Sequence, residues 1–176
     1  MAKYSKSRWV SGMLVAGILI AAALPVHAQR RDYLTGLEGD KIRDAESPSL
    51  RIKLFVGFAA DRLRKFQYEL VRPSADRRRG DRLTSLLNAY IGCIDDAAEL
   101  IKLGIEKQED IRQGLKEMQD KGKEFLATLE STASAGRDRE LYKETLEDAL
   151  ESTKDALQIA QKGSKEMSPP PVRRKQ

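Results

Sequence analysis

The chain is poor in the residues that most often carry chemistry, with one histidine and one cysteine among 176 residues. His27 falls in a segment that reads as a secretory signal, so removal of that segment leaves no imidazole. Imidazole is the commonest general base and transition-metal ligand. Its loss excludes Ser-His-Asp and Cys-His catalytic groups and the Glu-x-x-His pairs of di-iron bundles. We therefore predict no enzymatic activity, no catalytic residues, no metal site and no cofactor.

The single cysteine excludes an internal disulfide, because Cys93 has no second thiol in the chain to pair with. Free cysteines are among the most buried residue types. We expect Cys93 to be buried and inert; pairing with another chain and a free thiol are the alternatives.

Residues 1–28 have the three parts of a signal peptide. Lys3, Lys6 and Arg8 form a positive start, 10–24 is an apolar run, and the sequence predicts cleavage after Ala28. The run is about 15 residues, shorter than the roughly 20 that span a bilayer. We expect a periplasmic or secreted protein. An uncleaved signal kept as an anchor is the alternative, and membrane contact would then be made only through that segment.

The basic composition is misleading about partners. The formal net charge is +5, but the three signal cations account for part of it, and their removal leaves +2. Leaving out Arg173, Arg174 and Lys175 in the tail gives −1. A near-neutral body does not favour nucleic acid as a partner. Another envelope protein fits better, and homo-oligomer formation stays open.

The spacing of apolar residues predicts an all-α fold. Five helices are expected at 35–46, 48–71, 81–103, 107–129 and 138–161. The last four have similar lengths and short connections, which favours an antiparallel four-helix bundle with a short extra N-terminal helix. The bundle domain would cover 29–162, followed by a disordered Pro-rich basic tail at 163–176. A continuous or bent helix through Gly104 is the rival reading.

Particular residues mark the expected helix ends. Thr35 and Glu38 have capping-box spacing. Ser47 and Pro48 suit the start of the second helix. Gly104 suits the end of the third helix. Gly122, on the apolar stripe of the fourth helix, suggests a close contact between helices.

The second helix is apolar on two sides. At 100° per residue, Leu50, Leu54 and Phe58 fall opposite the core stripe that contains Ile52. We expect the first helix, with Leu34, Leu37 and Ile42 as its apolar anchors, to fold back as a lid. The alternative is an exposed apolar surface for a partner.

The fifth helix is acidic on one side. Six acidic residues fall within about 100° of arc, opposite the core stripe. They are Glu140, Glu144, Glu147, Asp148, Glu151 and Asp155. We call them the acidic ridge; it is a solvated face, a docking surface for a basic partner or a weak divalent-cation surface.

The loop after the second helix is basic. Arg77, Arg78 and Arg79 are flanked by Asp76 and Asp81, which neutralise them in part. The loop is either an ordinary solvated connection or a binding site for phosphate, lipid head groups or an acidic glycan.

These observations favour an exported, non-catalytic protein-interaction, adaptor or chaperone-like module. The acidic ridge, the second apolar face and the basic loop are its candidate surfaces. The alternative is a carrier of a small ligand or lipid, with phenylalanines lining a cavity between the helices. Those residues are Phe55, Phe58, Phe66 and Phe125.

Overall fold

The computed structural model of the protein describes residues 33–72, 76–135 and 138–167. Within these ranges the chain forms five α-helices, one 3-10 turn and no strand, so the all-α prediction is confirmed. The predicted signal at 1–28 and residues 168–176 lie outside the described residues. The helices are α1 (Gly36–Asp44), α2 (Pro48–Val71), α3 (Arg79–Glu106), α4 (Arg112–Ala135) and α5 (Lys143–Glu166), with the 3-10 turn at Arg139–Leu141.

The first two helices begin at the caps that the sequence indicates. The Thr35 hydroxyl accepts from the Glu38 backbone N–H at 3.3 Å, and the Glu38 carboxylate accepts from the Thr35 N–H at 2.8 Å. Ser47 accepts from the Leu50 N–H at 3.2 Å, and Pro48 is the first residue of α2. The predicted bounds of α2 are confirmed.

The predicted cap at Gly104 is wrong, because α3 runs through this residue to Glu106. A Cβ atom at Gly104 would lie 2.6 Å from Cγ2 of Ile111, so the glycine serves close packing. The chain turns at Gln108, which has a φ of 56°, and the Glu109 N–H donates to the Gly104 carbonyl at 2.9 Å. These features are typical of a Schellman motif, and they separate α3 from α4.

The last two helices end later than predicted. α4 reaches Ala135 instead of residue 129, and the hydroxyls of Thr128 and Thr132 donate to carbonyls one turn earlier in the helix. α5 reaches Glu166 instead of residue 161. Gly163, which the sequence assigns to the tail, is buried against Ile105 and Leu115. Ala133 of α4 also packs against the core, so packing against neighbouring helices accompanies the extension of both elements beyond their sequence signals.

Two helical hairpins are formed by consecutive helices. α2 and α3 run in opposite directions, since Arg82 near the start of α3 pairs with Glu69 near the end of α2. α4 and α5 also run in opposite directions, and Gln119 donates to the Ala160 carbonyl at 2.9 Å. The expectation of antiparallel neighbours is met within each hairpin and is wrong between the two hairpins, where the neighbouring helices are parallel.

The hairpins contact each other through helices that run in the same direction. The Gly114 N–H donates to Ser49 at 2.8 Å, which joins the starts of α4 and α2. Ser152 donates to Asp95 at 2.6 Å and Thr84 to the Leu141 carbonyl at 3.3 Å, which aligns α5 with α3. Each helix of one hairpin thus has a parallel neighbour in the other.

The core is built from the predicted stripes. Fully buried side chains come from α2, α3, α4 and α5, and the rings of Phe66 and Tyr142 meet edge to face with centroids 5.3 Å apart. Tyr90 and Phe125 form a second such pair at 5.8 Å. Phe55, Phe66 and Phe125 are packed core residues, so these three do not line an open cavity. Gly122 is the close contact that its position suggests, since a Cβ there would lie 2.8 Å from Leu157 Cδ2.

Candidate functional site

An open groove of about 910 Å³ lies at the end of the fold where α3 begins and the 3-10 turn precedes α5. It brings together two surfaces that the sequence treats separately, because Arg77 of the basic loop and Glu140 of the acidic ridge both line it. The lining residues are Asp76, Arg77, Arg79, Gly80, Asp81, Thr84, Ser85, Asn88, Asp138, Glu140 and Leu141.

Arg79 does not belong to an exposed basic loop, as the sequence suggests, but is buried in the first turn of α3. Its guanidinium donates to the Leu70 carbonyl at 3.0 Å and to the Arg72 carbonyl. Its Nε lies 3.3 Å from a carboxylate oxygen of Asp138 without hydrogen-bond geometry. Arg79 therefore satisfies the last carbonyls of α2 and ties α2, α3 and the 3-10 turn together.

The other arginines near this loop differ in whether they form ion pairs. Arg82 contacts Glu69 at 2.8 Å and also pairs with Asp76. The Arg78 backbone N–H and the Arg82 side chain both hydrogen-bond to Asp76 and lower the pKa of its carboxyl. The side chains of Arg77 and Arg78 are exposed, and neither forms an ion pair with any other residue that the structure describes. Only these two of the predicted triplet could meet a partner.

All six members of the acidic ridge are exposed. Glu140 lies on the 3-10 turn and the other five lie on α5. Within residues 33–72, 76–135 and 138–167, none of the six is in an ion pair. Asp95 of α3, which accepts from Ser152, extends the negative surface onto the neighbouring helix. Unpaired acidic side chains occur elsewhere on the molecule, but the ridge places five on one face of α5 and a sixth on the turn before it.

The second apolar face of α2 is partly covered. α1 folds back onto α2, as the turn at Ser47 and Pro48 predicts. Leu54 and Phe58 are half-buried, whereas Leu50 stays 42% exposed. The prediction for Leu37 is wrong, because this residue is 76% exposed on the outer side of α1.

The contacts that hold α1 are polar, and sequence reasoning missed most of them. Nη1 and Nη2 of Arg62 each donate to the Glu38 carboxylate at 2.6 Å, and Nη2 also donates to the Tyr33 carbonyl at 3.0 Å. The side chains of Arg62 and Glu38 are only 7% and 14% exposed. The Tyr33 hydroxyl donates to Asp96 of α3. The sequence contains one signal for these contacts. Arg62 lies one turn after Phe58 on the second apolar face, and a cation that is buried there needs an acidic or polar partner.

Cys93 is buried beside this polar cluster. It lies between Gly92 and Asp96, and both of these residues contact Tyr33. Burial raises the pKa of the Cys93 thiol to about 12, with the nearby Arg62 acting in the opposite direction. The thiol is therefore protonated and a poor nucleophile at neutral pH.

No family model, curated protein or solved structure matches this chain. In the described ranges, no three histidine, cysteine, aspartate or glutamate side chains are grouped as they would be around a metal ion. None of the described helices has both the length and the apolar character needed to cross a bilayer.

Proposed function

We propose that this protein is an exported, non-catalytic adaptor that binds a basic segment of another envelope protein through the acidic ridge. In this proposal the described helices form a four-helix bundle of two antiparallel hairpins with one short extra helix, and a signal peptide cleaved after Ala28 precedes it. The observation that carries the proposal is the group of six exposed carboxylates, five on one face of α5 and Glu140 on the 3-10 turn before it, without an ion pair to any described residue.

The cost of the ridge supports a binding role. Like charges one turn apart on a helix destabilise it by a few tenths of a kcal/mol each. Glu144 and Asp148, Glu147 and Glu151, and Glu151 and Asp155 have this spacing. A basic partner would remove this repulsion, and such contacts weaken when salt screens exposed charges.

The groove adds a feature that a uniform acidic surface lacks. Arg77 lies at the groove together with Glu140, at the end of the ridge where α5 begins. A partner segment with several basic residues followed by an acidic one could place the basic residues along the ridge and the acidic residue at Arg77. This arrangement would fix the direction in which the segment lies along α5.

The test is photo-crosslinking in intact cells from a benzophenone amino acid placed at Lys154, an exposed residue beside the ridge. We expect a discrete adduct that disappears when Glu144, Glu147, Glu151 and Asp155 are replaced by their amides. The matched control replaces four exposed acids away from the ridge, namely Asp44, Glu106, Asp120 and Glu130. An adduct that both sets of replacements leave unchanged would contradict the adaptor role.

Export is tested separately by fractionation and N-terminal sequencing of the expressed protein. We expect a soluble periplasmic or secreted form that begins at Gln29. A full-length chain in the membrane fraction would favour the uncleaved anchor, and a full-length chain in the cytosol would rule out export.

A further inference from the structure

The segment 33–45, which we call the strap, is attached to the rest of the fold mainly by polar contacts. α1 has nine residues, none of them buried. Helices this short are not stable in isolation. Tyr33, Leu34 and Ile42 are only partly buried against the core, and Ala45, at the end of the strap, is its one buried apolar side chain. The apolar contribution to docking is therefore small in comparison with that of the other helices.

One carboxylate both folds the strap and fastens it. Oε2 of Glu38 accepts from the Thr35 backbone N–H at 2.8 Å and from Arg62 at 2.6 Å. The capping box of α1 and the ion pair to α2 thus share an atom. Loss of this carboxylate weakens the helix and releases it from α2 at the same time.

A second contact seats the beginning of the strap on α3. The Tyr33 ring lies against Gly92 so closely that a Cβ there would be 2.7 Å from the ring atoms Cδ1 and Cε1. The Tyr33 hydroxyl reaches Asp96, one turn further along α3. Cys93 lies between these two residues in the sequence of α3 and is buried in the core, and the charges of Arg62 and Glu38 are near enough to act on the pKa of its thiol.

We propose that the strap is a displaceable lid that opens as a unit about residues 45–47 and controls access to the seam between α2 and α3. The closed form keeps Cys93 away from solvent and the open form exposes it, while α2 to α5 stay folded. The turn at 45–47 suits a hinge, because Ala45 and Ser47 have extended backbone angles between two helices. The strap is held by an ion pair and hydrogen bonds over a small contact area, and elements with little apolar burial are the first to open.

The test measures how fast N-ethylmaleimide alkylates Cys93 in the native protein, with two variants that weaken the strap independently. Glu38→Gln removes the ion pair to Arg62, and Gly92→Ala unseats Tyr33 without changing any charge. We expect each to raise the alkylation rate about tenfold or more, which corresponds to about 1.4 kcal/mol. The rate in both variants should change little in low urea, because opening the strap exposes little surface.

Two controls separate strap opening from general loosening. Gly57→Ala makes the same substitution on an exposed part of α2 with no atom within 4 Å of the added Cβ, and its rate should match the wild type. Leu157→Ala weakens the contact of α5 with α4, so it lowers global stability and should leave the native-state rate unchanged. The proposal is overturned if Glu38→Gln and Gly92→Ala label no faster than Gly57→Ala. It is also overturned if the rates of all variants follow the free energy of global unfolding.

Discussion

Arg62 on α2 holds Glu38 on α1 by two contacts of 2.6 Å, although the residues are 24 positions apart in the chain. Both side chains are largely withdrawn from solvent. Removing one member of a buried pair leaves an uncompensated charge, which costs more than the pair itself contributes. This relationship makes the attachment of α1 sensitive to single substitutions and to pH.

Acid should therefore weaken the protein through Glu38. Hydrogen bonds from Arg62 outweigh the effect of burial and lower the pKa of this carboxyl from 4.5 to about 2. Its contribution to folding is complete above pH 4.5 and is lost as the pH falls towards 2. We expect about 1–2 kcal/mol, less than the full shift implies because solvent screens part of the pair. Urea unfolding at pH 5 and pH 3 checks this, and the stability of Glu38→Gln should lack this component of the pH dependence.

Arg79 and Arg77 should respond differently to replacement although they are two positions apart. Arg79→Ala leaves the Leu70 and Arg72 carbonyls without their donor and uncovers buried space, so we expect a loss of about 2–4 kcal/mol. Arg77 is exposed without an ion pair among the described residues, and Arg77→Ala should stay within about 0.5 kcal/mol of the wild type. Chemical denaturation of both variants makes the comparison. Equal losses would mean that Arg79 does not cap α2.

The buried hydroxyls of Tyr90 and Thr153 form an ordered pair. Thr153 donates to the Ala149 carbonyl at 2.6 Å, so the Tyr90 hydroxyl is the donor in its own 2.6 Å contact with Thr153. Tyr90→Phe removes one donor and should cost about 1 kcal/mol. Thr153→Val leaves the tyrosine hydroxyl buried without an acceptor and should cost more, about 1–3 kcal/mol. Thermal unfolding ranks the two, and the reverse order would contradict this assignment of donors.

Two glycines in helices should have opposite responses to alanine. At Gly122 the added methyl would meet Leu157 at 2.8 Å, and overpacking of this kind costs about 1–3 kcal/mol. At Gly57 nothing lies within 4 Å, so alanine should stabilise α2 by about 0.5–1 kcal/mol through its better helix propensity. Melting temperatures of the two variants test the difference. If Gly122→Ala raised the melting temperature, the prediction would be wrong, because α4 and α5 would then accommodate the added methyl without strain.

The sequence predicts what depends on local spacing. The stripes, the cap at Thr35 and the start of α2 at Pro48 follow from residues within one or two turns of each other. The end of α3 does not, because Gly104 has the residue type of a cap but is used for contact with Ile111. A glycine in the sequence is compatible both with a helix end and with a close helix contact, and only the position of the neighbouring helix decides between them.

The sequence predicts a candidate site where the site is an exposed face of a single helix. The acidic ridge follows from helical periodicity, and the exposure of its residues agrees with that pattern. Arg79 could not be assigned in the same way, because three consecutive arginines look alike until the ends of α2 and α3 are placed. The groove could not be predicted from the sequence either, because two of its lining residues, Arg77 and Glu140, are more than sixty residues apart in the chain.

The parallel contacts between the two hairpins have a consequence for assembly of the fold. Apart from the turn at 107–111, the α2–α3 half and the α4–α5 half meet through α2 with α4 and α3 with α5. Neither half closes the fold alone, because Ser49 with Gly114 and Asp95 with Ser152 join residues from different halves. Two peptides separated at this turn would therefore be complementary fragments, each supplying the surface on which the other acquires its native helices.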